Sequence, residues 1–163
     1  MCPMARSSGA ELALLLLGGF RSMVDEVHAE LARRGHEGVR ASHEFALRAV
    51  DEGADTATEL GRSLSVSKQA AAKVIVALER LGYVEREADP NDARVKRLRV
   101  TARGHDMMTL GAALFTEVRE RWAAQIGAEQ LDAFEAHLVR LTTSRATASD
   151  GLARLQDDLG DAI

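Results

Sequence analysis

The first part of the chain has hydrophobic side chains at helical intervals. This spacing predicts a helix from Ala10 to the glycines Gly35 and Gly38. Its opening stretch, Leu12–Leu17, is apolar on nearly every side and needs partners on every side, which a small monomer does not supply. We therefore expect this stretch to contact a second copy of the chain. The recurring positions are Leu12, Leu16, Met23, Val27 and Leu31.

Three shorter helices follow in the predicted order. The first spans about Ala41–Asp51. Thr56 and Glu59 have the spacing of a capping box, which starts the second helix and satisfies its unpaired N–H groups. Ser67 is a good N-cap for the third helix, and Gly82 is a suitable residue to end it. Two short helices joined by a turn of three or four residues form a helix-turn-helix.

The pattern then changes from the helical period to alternation. Tyr83–Glu87 and Val95–Val100 are predicted to be two short strands, joined by a turn at Asp89–Asp92 that carries Pro at its second position. A helix-turn-helix followed by a β-hairpin is a winged helix. On the second strand, Leu98 and Val100 share one face, and Arg97 and Arg99 share the other.

The helical period returns after the hairpin. A long helix is expected over about Thr101–Gln125, where Gly127 breaks the pattern, and another over Ala128–Ser144. A last short helix is expected over Ala148–Leu159. Since no repeat or linker divides these elements, both ends of the chain are expected to contribute to one helical body.

Composition agrees with a mostly helical globular chain. Of the 163 residues, 46% are hydrophobic and 28% charged, which excludes disorder as the overall class. The single cysteine, Cys2, excludes a disulfide framework within the chain. The longest apolar run, Leu12–Phe20, is too short to span a bilayer and is not followed by a signal-peptide cleavage site. We expect a cytoplasmic protein with no membrane partner.

Charge is distributed unevenly along the sequence. The whole chain has a formal net charge of −4, but residues 62–103 contain ten Lys or Arg against five Asp or Glu, a net charge of +5. A basic middle between acidic ends is typical of a nucleic-acid-binding surface on an otherwise solubilising body. A solvated charged face would give the same count, so charge alone does not decide the function.

Two segments of the basic middle resemble a known family. Ser65–Gln69 followed by Leu78–Arg86 is similar to the recognition helix and first wing strand of MarR-type transcriptional regulators. Asp89-Pro90-x-Asp92-x-Arg94, followed by Val100-Thr101-x-x-Gly104, resembles the wing signature of that family, which usually has Leu where Val100 stands. The resemblance covers residues 40–105. It implies a homodimeric bacterial DNA-binding regulator, commonly a repressor that a small ligand releases.

These patterns together predict a mainly α fold with a small β-hairpin wing. We expect a single domain, residues 1–163, in which a winged helix-turn-helix is embedded in a helical dimerisation body. The winged-helix DNA-binding lobe is expected over residues 41–101, and the dimerisation region over residues 10–40 and 102–163. A two-fold dimer would present two recognition helices to a pseudo-palindromic operator.

The predicted recognition helix, residues 67–81, has two faces. The outer face begins at the helix N-terminus, where unpaired N–H groups and the helix dipole favour a phosphate. The inner face consists of Ala71, Val74, Leu78 and Leu81, and the outer face of Lys68, Gln69, Ala72, Lys73, Val76 and Arg80.

The first residues of this helix are candidates for DNA contact. Ser67 can cap the helix or donate to a phosphate, two roles that compete. Lys68 can donate a hydrogen bond to guanine or to a phosphate, and Gln69 can form two hydrogen bonds with the major-groove edge of an adenine. Ala72 is small enough to let the helix approach a thymine methyl group. Lys73, one turn further on, suits a backbone phosphate, which fixes position without reading sequence.

Arg94 follows the predicted turn of the wing. The resemblance implies that it enters a minor groove, whose negative potential attracts a guanidinium group. Asp92 lies two residues earlier on the same side of an extended chain. Since phosphates repel a carboxylate, Asp92 is expected to orient the side chain of Arg94 rather than touch DNA. The alternative for both residues is a plain surface ion pair.

An effector pocket is implied only by the resemblance. In this family, ligands commonly lodge where the first two helices meet the long helix after the wing. Aromatic and thioether side chains adapt to planar apolar ligands, and a His or Arg could hold a carboxylate, so a small aromatic acid is a candidate effector. The alternative is that these residues form core between the lobes. They are Phe20, Met23, Val27, Arg40, His43, Leu47, Met107 and Met108.

Metal and redox sensing are alternatives within the same fold. A zinc-sensing branch of the family exists, but the sequence has no i, i+4 pair of histidines and no cysteine near them. Ordinary polar or capping roles are therefore expected for His28, His36, His43, His105 and His137. Cys2 precedes the first helix and has no fixed cationic neighbour that would activate it. No metal and no cofactor are expected.

An enzyme and a helical interaction module are the other two classes of protein that a chain of this kind could belong to. An enzyme finds little support, because the chain has no Gly-rich phosphate loop, nucleophile elbow or zinc-protease motif. A helical interaction module without DNA binding would explain the long terminal helices but not the basic wing. Salt-dependent binding to duplex DNA separates this module from a DNA-binding regulator.

Overall fold

The computed structural model describes residues 8–89 and 92–142, without the side chains of residues 92–95. Helices surround one antiparallel hairpin, so the expected mainly α fold with a small wing is confirmed. The elements are α1 (Gly9–Arg33), α2 (Ala41–Asp51), α3 (Ala57–Ser63), α4 (Lys68–Arg80), β1 (Val84–Asp89), β2 (Asp92–Val100), α5 (Ala102–Ile126) and α6 (Ala128–Thr142).

Local capping chemistry sets the helix boundaries around the helix-turn-helix. The hydroxyl of Thr56 accepts a hydrogen bond from the N–H of Glu59 at 3.2 Å, and that of Ser67 accepts from the N–H of Ala70 at 3.1 Å. Gly82, at φ +74°, follows the last turn of α4, in a conformation that costs glycine little. The predicted N-caps and the stop after α4 are therefore confirmed.

The hairpin has the predicted two faces. Val84 pairs with Val100 and Arg86 with Leu98, and the inner face made by Leu98 and Val100 is buried. The strands are longer than the predicted Tyr83–Glu87 and Val95–Val100 because backbone pairing continues toward the tip. This pairing includes Asp89 and Asp92, which the sequence assigned to the turn between the strands.

The core lies where helices α1 to α5 and the hairpin meet. Leu60, Leu78, Tyr83 and Met107 are completely buried there. Ile75 belongs to this core as well, although it was assigned to neither face of the recognition helix. It lies one turn after buried Ala71, which places it on the inner face. Val74 and Leu81, predicted on that face, are only partly buried and pack against the core.

Close packing joins the start of α5 to the hairpin. A Cβ atom at Gly104 would lie 2.4 Å from the carbonyl oxygen of Tyr83 and 2.7 Å from a methyl carbon of Val100. Only glycine leaves room for this approach. The hydroxyl of Thr101, the N-cap of α5, also donates to the carbonyl oxygen of Gly82 at 2.6 Å. The wing therefore has a fixed orientation on the helical body.

The helical body consists of α1, α5 and α6, with α5 packed against both other helices. The residues that the structure describes leave the first turns of α1 uncovered. Leu12, Leu14 and Leu15 are 52%, 67% and 67% exposed. The predicted end of α6 at Ser144 and the expected helix over Ala148–Leu159 lie outside the described residues. Within the described ranges, no helix is long and apolar enough to cross a membrane.

Candidate nucleic-acid interface

The exposed face of α4 carries the residues predicted to contact DNA. Lys68, Gln69 and Lys73 are exposed, and Ala72 is partly buried beside them. Ser67 is exposed and uses an oxygen lone pair to accept from the N–H of Ala70. Because its hydroxyl proton is not used by that bond, capping and donation to a phosphate are compatible rather than competing roles.

Tight packing between α3 and α4 fixes the angle of this face. A Cβ atom at Gly61 would lie 3.0 Å from the carbonyl oxygen of Val66 and 3.4 Å from the nitrogen of Lys68. Ser65 in the connecting turn has φ +56°, a conformation that non-glycine residues seldom adopt. The two helices of the helix-turn-helix are thus held closely together.

Cations of the helix-turn-helix are available for a ligand. Within the described part of the chain, no carboxylate lies within ion-pair distance of Arg62, Lys68, Lys73 or Arg80. Two cations of the wing are neutralised: Arg86 pairs with Glu79 at 2.6 Å, and Arg99 pairs with Glu87 at 2.7 Å. In the described residues, α3 and α4 therefore carry four cations without an ion-pair partner, and Lys96 of β2 is a further one.

Arg62 was not among the predicted site residues. It is exposed in the last turn of α3, the first helix of the helix-turn-helix. That helix crosses the DNA backbone in proteins of this architecture. The signal in the sequence was its position in the basic middle, but charge counting did not distinguish it from the arginines that are ion-paired.

Arg97 anchors the outer half of the wing. Its guanidinium group donates to Asp89 on β1 and, at 2.7 Å, to Asp55 in the connection between α2 and α3. These two carboxylates raise the pKa of Arg97 above its ordinary value. The N–H of Leu98 donates to the carbonyl oxygen of Asp55 at 2.9 Å. The wing strand is thereby tied to the helix-turn-helix.

The predicted wing residues are only partly covered by the structure. The backbones of Asp92 and Arg94 belong to β2, at the end of the hairpin that is far from the helical body. Their side chains lie outside the described residues. The groove contact of Arg94 and the orienting role of Asp92 remain predictions.

The residues predicted to line an effector pocket are distributed over two places. Phe20 and Met23 line an apolar groove of about 500 Å³ between α1, α5 and α6. In contrast, Val27, Leu47 and Met107 are buried in the core, with exposed fractions of 0–1%. Met108 is partly buried against that core. The other lining residues of the groove include Leu15, Leu16, Trp122, Ile126, Phe134 and Leu138.

His43 and Arg40 meet at the start of α2. The N–H of Arg40 donates to Nδ1 of His43 at 3.2 Å, which satisfies one of the unpaired N–H groups of the helix. His43 is buried, and burial lowers its pKa to about 4, with smaller contributions from the positive charges of Arg40, His28 and Arg80. The neutral ring is thus the form that caps the helix.

Metal and redox sensing gain nothing from the geometry. In residues 8–89 and 92–142, no group of three or more His, Cys, Asp or Glu side chains could hold a metal ion. His36 is hydrogen-bonded to Tyr83 and Asp106 instead. Cys2 lies outside the described residues.

One family model matches the chain. Residues 42–95 match the MarR family. The matched segment begins in α2, contains the whole helix-turn-helix and β1, and ends in β2. No curated protein sequence matches the chain.

Solved structures with the same fold cover most of the chain. A MarR family protein from Bacillus stearothermophilus is 20% identical, with a TM-score of 0.64 over 87% of this chain and 98% of that chain. YusO from Bacillus subtilis is also 20% identical, with a TM-score of 0.61 over 86% and 100%. MepR from Staphylococcus aureus, solved in complex with DNA, is 16% identical, with a TM-score of 0.61 over 83% and 98%.

Proposed function

We propose that this chain is a MarR-type winged helix-turn-helix transcription regulator. We propose further that it acts as a homodimeric repressor, which binds a pseudo-palindromic operator and is released by a small-molecule ligand. The family consists of transcription regulators, which agrees with the expectation that the chain is not an enzyme. In this proposal residues 41–101 form the DNA-binding lobe, and residues 10–40 and 102–163 form the dimerisation region.

One observation carries the DNA-binding part of the proposal. The exposed cations of α3 and α4 have no carboxylate partner in the described residues, whereas Arg86, Arg97 and Arg99 of the wing all have one. A polyanion would supply the missing counter-charges, and binding would release the counterions condensed on it. The solved complex of MepR with DNA supports the same assignment for this chain.

The individual contacts follow from the chemistry of each side chain. Ser67 at the cap and Lys73 one turn later are proposed to hold phosphates, which sets the position of α4 in the major groove. Lys68 is proposed to contact guanine or phosphate, and Gln69 to contact adenine. Ala72 leaves room for the helix to approach the base edges.

The wing is proposed to reach an adjacent minor groove. Arg94 would insert its guanidinium group there, and Asp92 would orient it. The support is the anchoring of the wing through the ion pairs of Arg97 with Asp55 and Asp89, which gives the tip a defined place relative to α4.

The dimer is proposed to form through α1, α5 and α6. The exposed leucines at the start of α1 lie next to the apolar groove that Phe20, Trp122 and Phe134 line. A second copy related by a two-fold axis would cover both surfaces, because the same patch on each copy faces the other. The two recognition helices would then be about 34 Å apart, one turn of DNA.

Ligand release rests on the resemblance and on side-chain chemistry. A small aromatic acid is proposed to bind between the body and the lobe, with His43 or Arg40 near its carboxylate. It would act only by binding better to a dimer whose lobes have the wrong spacing for DNA. Salicylate should then raise the Kd for the operator, and His43→Ala should reduce this effect. If a panel of aromatic acids neither stabilises the protein nor releases DNA, the ligand part of the proposal is wrong.

Selection of bound duplexes from a random pool tests the proposed function. The expected result is an enriched, approximately palindromic site with half-sites one helical turn apart. An interaction module without DNA binding would enrich no sequence. A chain that binds DNA as a monomer would enrich a single half-site. That result would contradict the proposed dimer but not the proposed DNA contact.

A further inference from the structure

Val76 is a large hydrophobic residue in the middle of the exposed face of α4. Its side chain is 61% exposed. The other large hydrophobic side chains that are exposed in the described part of the chain all lie on α1, α5 or α6. Those belong to the helical body from which the dimer is proposed to form. Neither the core nor the proposed dimer accounts for the position of Val76.

The neighbours of Val76 on this face are residues of the proposed DNA interface. Ala72 and Lys73 lie one turn before it, and Arg80 lies one turn after it. Gln69 lies seven residues earlier, which is two turns and about 10 Å along the helix axis. Val76 therefore lies within the proposed interface and not at its edge.

We infer that Val76 contacts the C5 methyl group of a thymine and thereby selects one T·A base pair in each half-site. The inference rests on the proposed function, since it requires α4 to lie in the major groove. The thymine methyl is the apolar group that base pairs present in that groove, and aliphatic side chains contact it. A solvent-exposed valine on a reading face gains by burial against such a group.

The spacing places the thymine relative to the base that Gln69 reads. Base pairs follow one another about every 3.4 Å along a strand, so the 10 Å between Gln69 and Val76 corresponds to about three base pairs. The geometry thus predicts a thymine about three positions from the adenine contacted by Gln69.

Deoxyuridine substitution in the selected operator tests this inference, because it removes only the C5 methyl group of a thymine. At one position of each half-site, replacing the thymine by deoxyuridine should weaken binding of the wild-type dimer about fourfold. This loss corresponds to the burial of one methyl-sized group. Val76→Ala should bind the unmodified operator more weakly and should not respond to deoxyuridine at that position. Lys73→Ala, which removes a proposed phosphate contact one turn before Val76, should weaken binding to every sequence but keep the wild-type response to deoxyuridine.

The two possible failures are distinguishable. If the wild-type protein and Val76→Ala respond alike to deoxyuridine at every position, Val76 reads no thymine and the inference is overturned, while DNA binding by α4 stands. If the wild-type protein binds no duplex from the pool, the proposed function fails and this inference fails with it.

Discussion

The Nδ1 atom of His36 lies 3.0 Å from the hydroxyl oxygen of Tyr83, and both side chains are buried. The Nε2 atom of His36 is 3.1 Å from a carboxylate oxygen of Asp106. A carboxylate accepts, so Nε2 carries a proton, and in the neutral ring the hydroxyl of Tyr83 donates to Nδ1. This chain of hydrogen bonds joins the end of α1, the start of the wing and the first turns of α5.

Replacing Tyr83 by Phe should destabilise the protein. Tyr83→Phe keeps the buried ring and removes only the donor, which leaves the Nδ1 atom of His36 buried and unpaired. The expected loss is about 1–3 kcal/mol in the free energy of unfolding, measured by urea denaturation. Replacing His36 by Phe as well should recover part of this loss, because both polar partners are then absent. Wild-type stability in the single variant would show that the hydrogen bond contributes nothing.

His43 should make the stability of the fold depend on pH. Its pKa of about 4 is below the ordinary 6.5, so the unfolded chain takes up the proton first as the pH falls. The stability that the neutral His43 provides is therefore complete above about pH 6.5 and is lost toward pH 4. By pH 5, the loss in the free energy of unfolding is about 2 kcal/mol.

The matched variant is His43→Gln, because Gln at the third helical position can also accept from the N–H of Arg40 but does not titrate. Between pH 7.5 and pH 5, the wild-type protein should lose about 2 kcal/mol more than this variant in urea unfolding. The raised pKa of the neighbouring Glu44 is present in both proteins and largely cancels in the comparison. The same loss in both proteins would disprove the role assigned to His43.

The dimer should be disrupted by a charge on the exposed start of α1. Leu15 is 67% exposed and lines the apolar groove. Leu15→Glu would bury an uncompensated carboxylate in the proposed interface, so the variant should sediment as a monomer at micromolar concentration. Thr58→Glu, which places the same charge on the exposed surface of α3 outside these helices, should remain dimeric. A wild-type protein that is itself monomeric at this concentration would contradict the dimer directly.

Arg94→Ala should weaken operator binding without affecting the fold. A guanidinium group lost from the minor groove should cost at least about tenfold in affinity. The dimer and its melting temperature should remain nearly unchanged, because a wing-tip residue carries none of the core. Equal affinity of Arg94→Ala and the wild-type protein for the operator would refute the role assigned to the wing.

Much of the fold could be predicted because its signals are local. Thr56, Ser67 and Gly82 mark helix ends through bonds that span only a few residues, so their sequence positions are sufficient. The alternation of Arg97 and Arg99 with Leu98 and Val100 likewise predicted which side of the wing is exposed. The hairpin tip was missed because the turn signal at Asp89–Asp92 ended both predicted strands too early.

The contacts between distant residues could not be predicted. Arg97 pairs with Asp55, 42 residues earlier in the chain, and nothing in the local pattern of either residue indicates the other. The same holds for His36 and Tyr83, 47 residues apart. For this reason the sequence grouped Arg62 with Arg97 and Arg99 in one basic segment, whereas the fold neutralises the last two and leaves Arg62 without a partner in the described residues.

The salt dependence of binding to random duplex DNA tests the central claim, that α3 and α4 present cations to phosphates. Four such cations in each protomer give at most eight contacts in a dimer, so log K should fall with log[salt] with a slope as steep as about −7. Lys73→Ala should reduce this slope by about one for each lysine lost, hence by about two for the dimer. Arg33→Ala, which removes an exposed cation paired with Glu30 on α1, should leave it unchanged. Affinity that does not change with salt, or an equal slope for Lys73→Ala and the wild-type protein, would contradict the account.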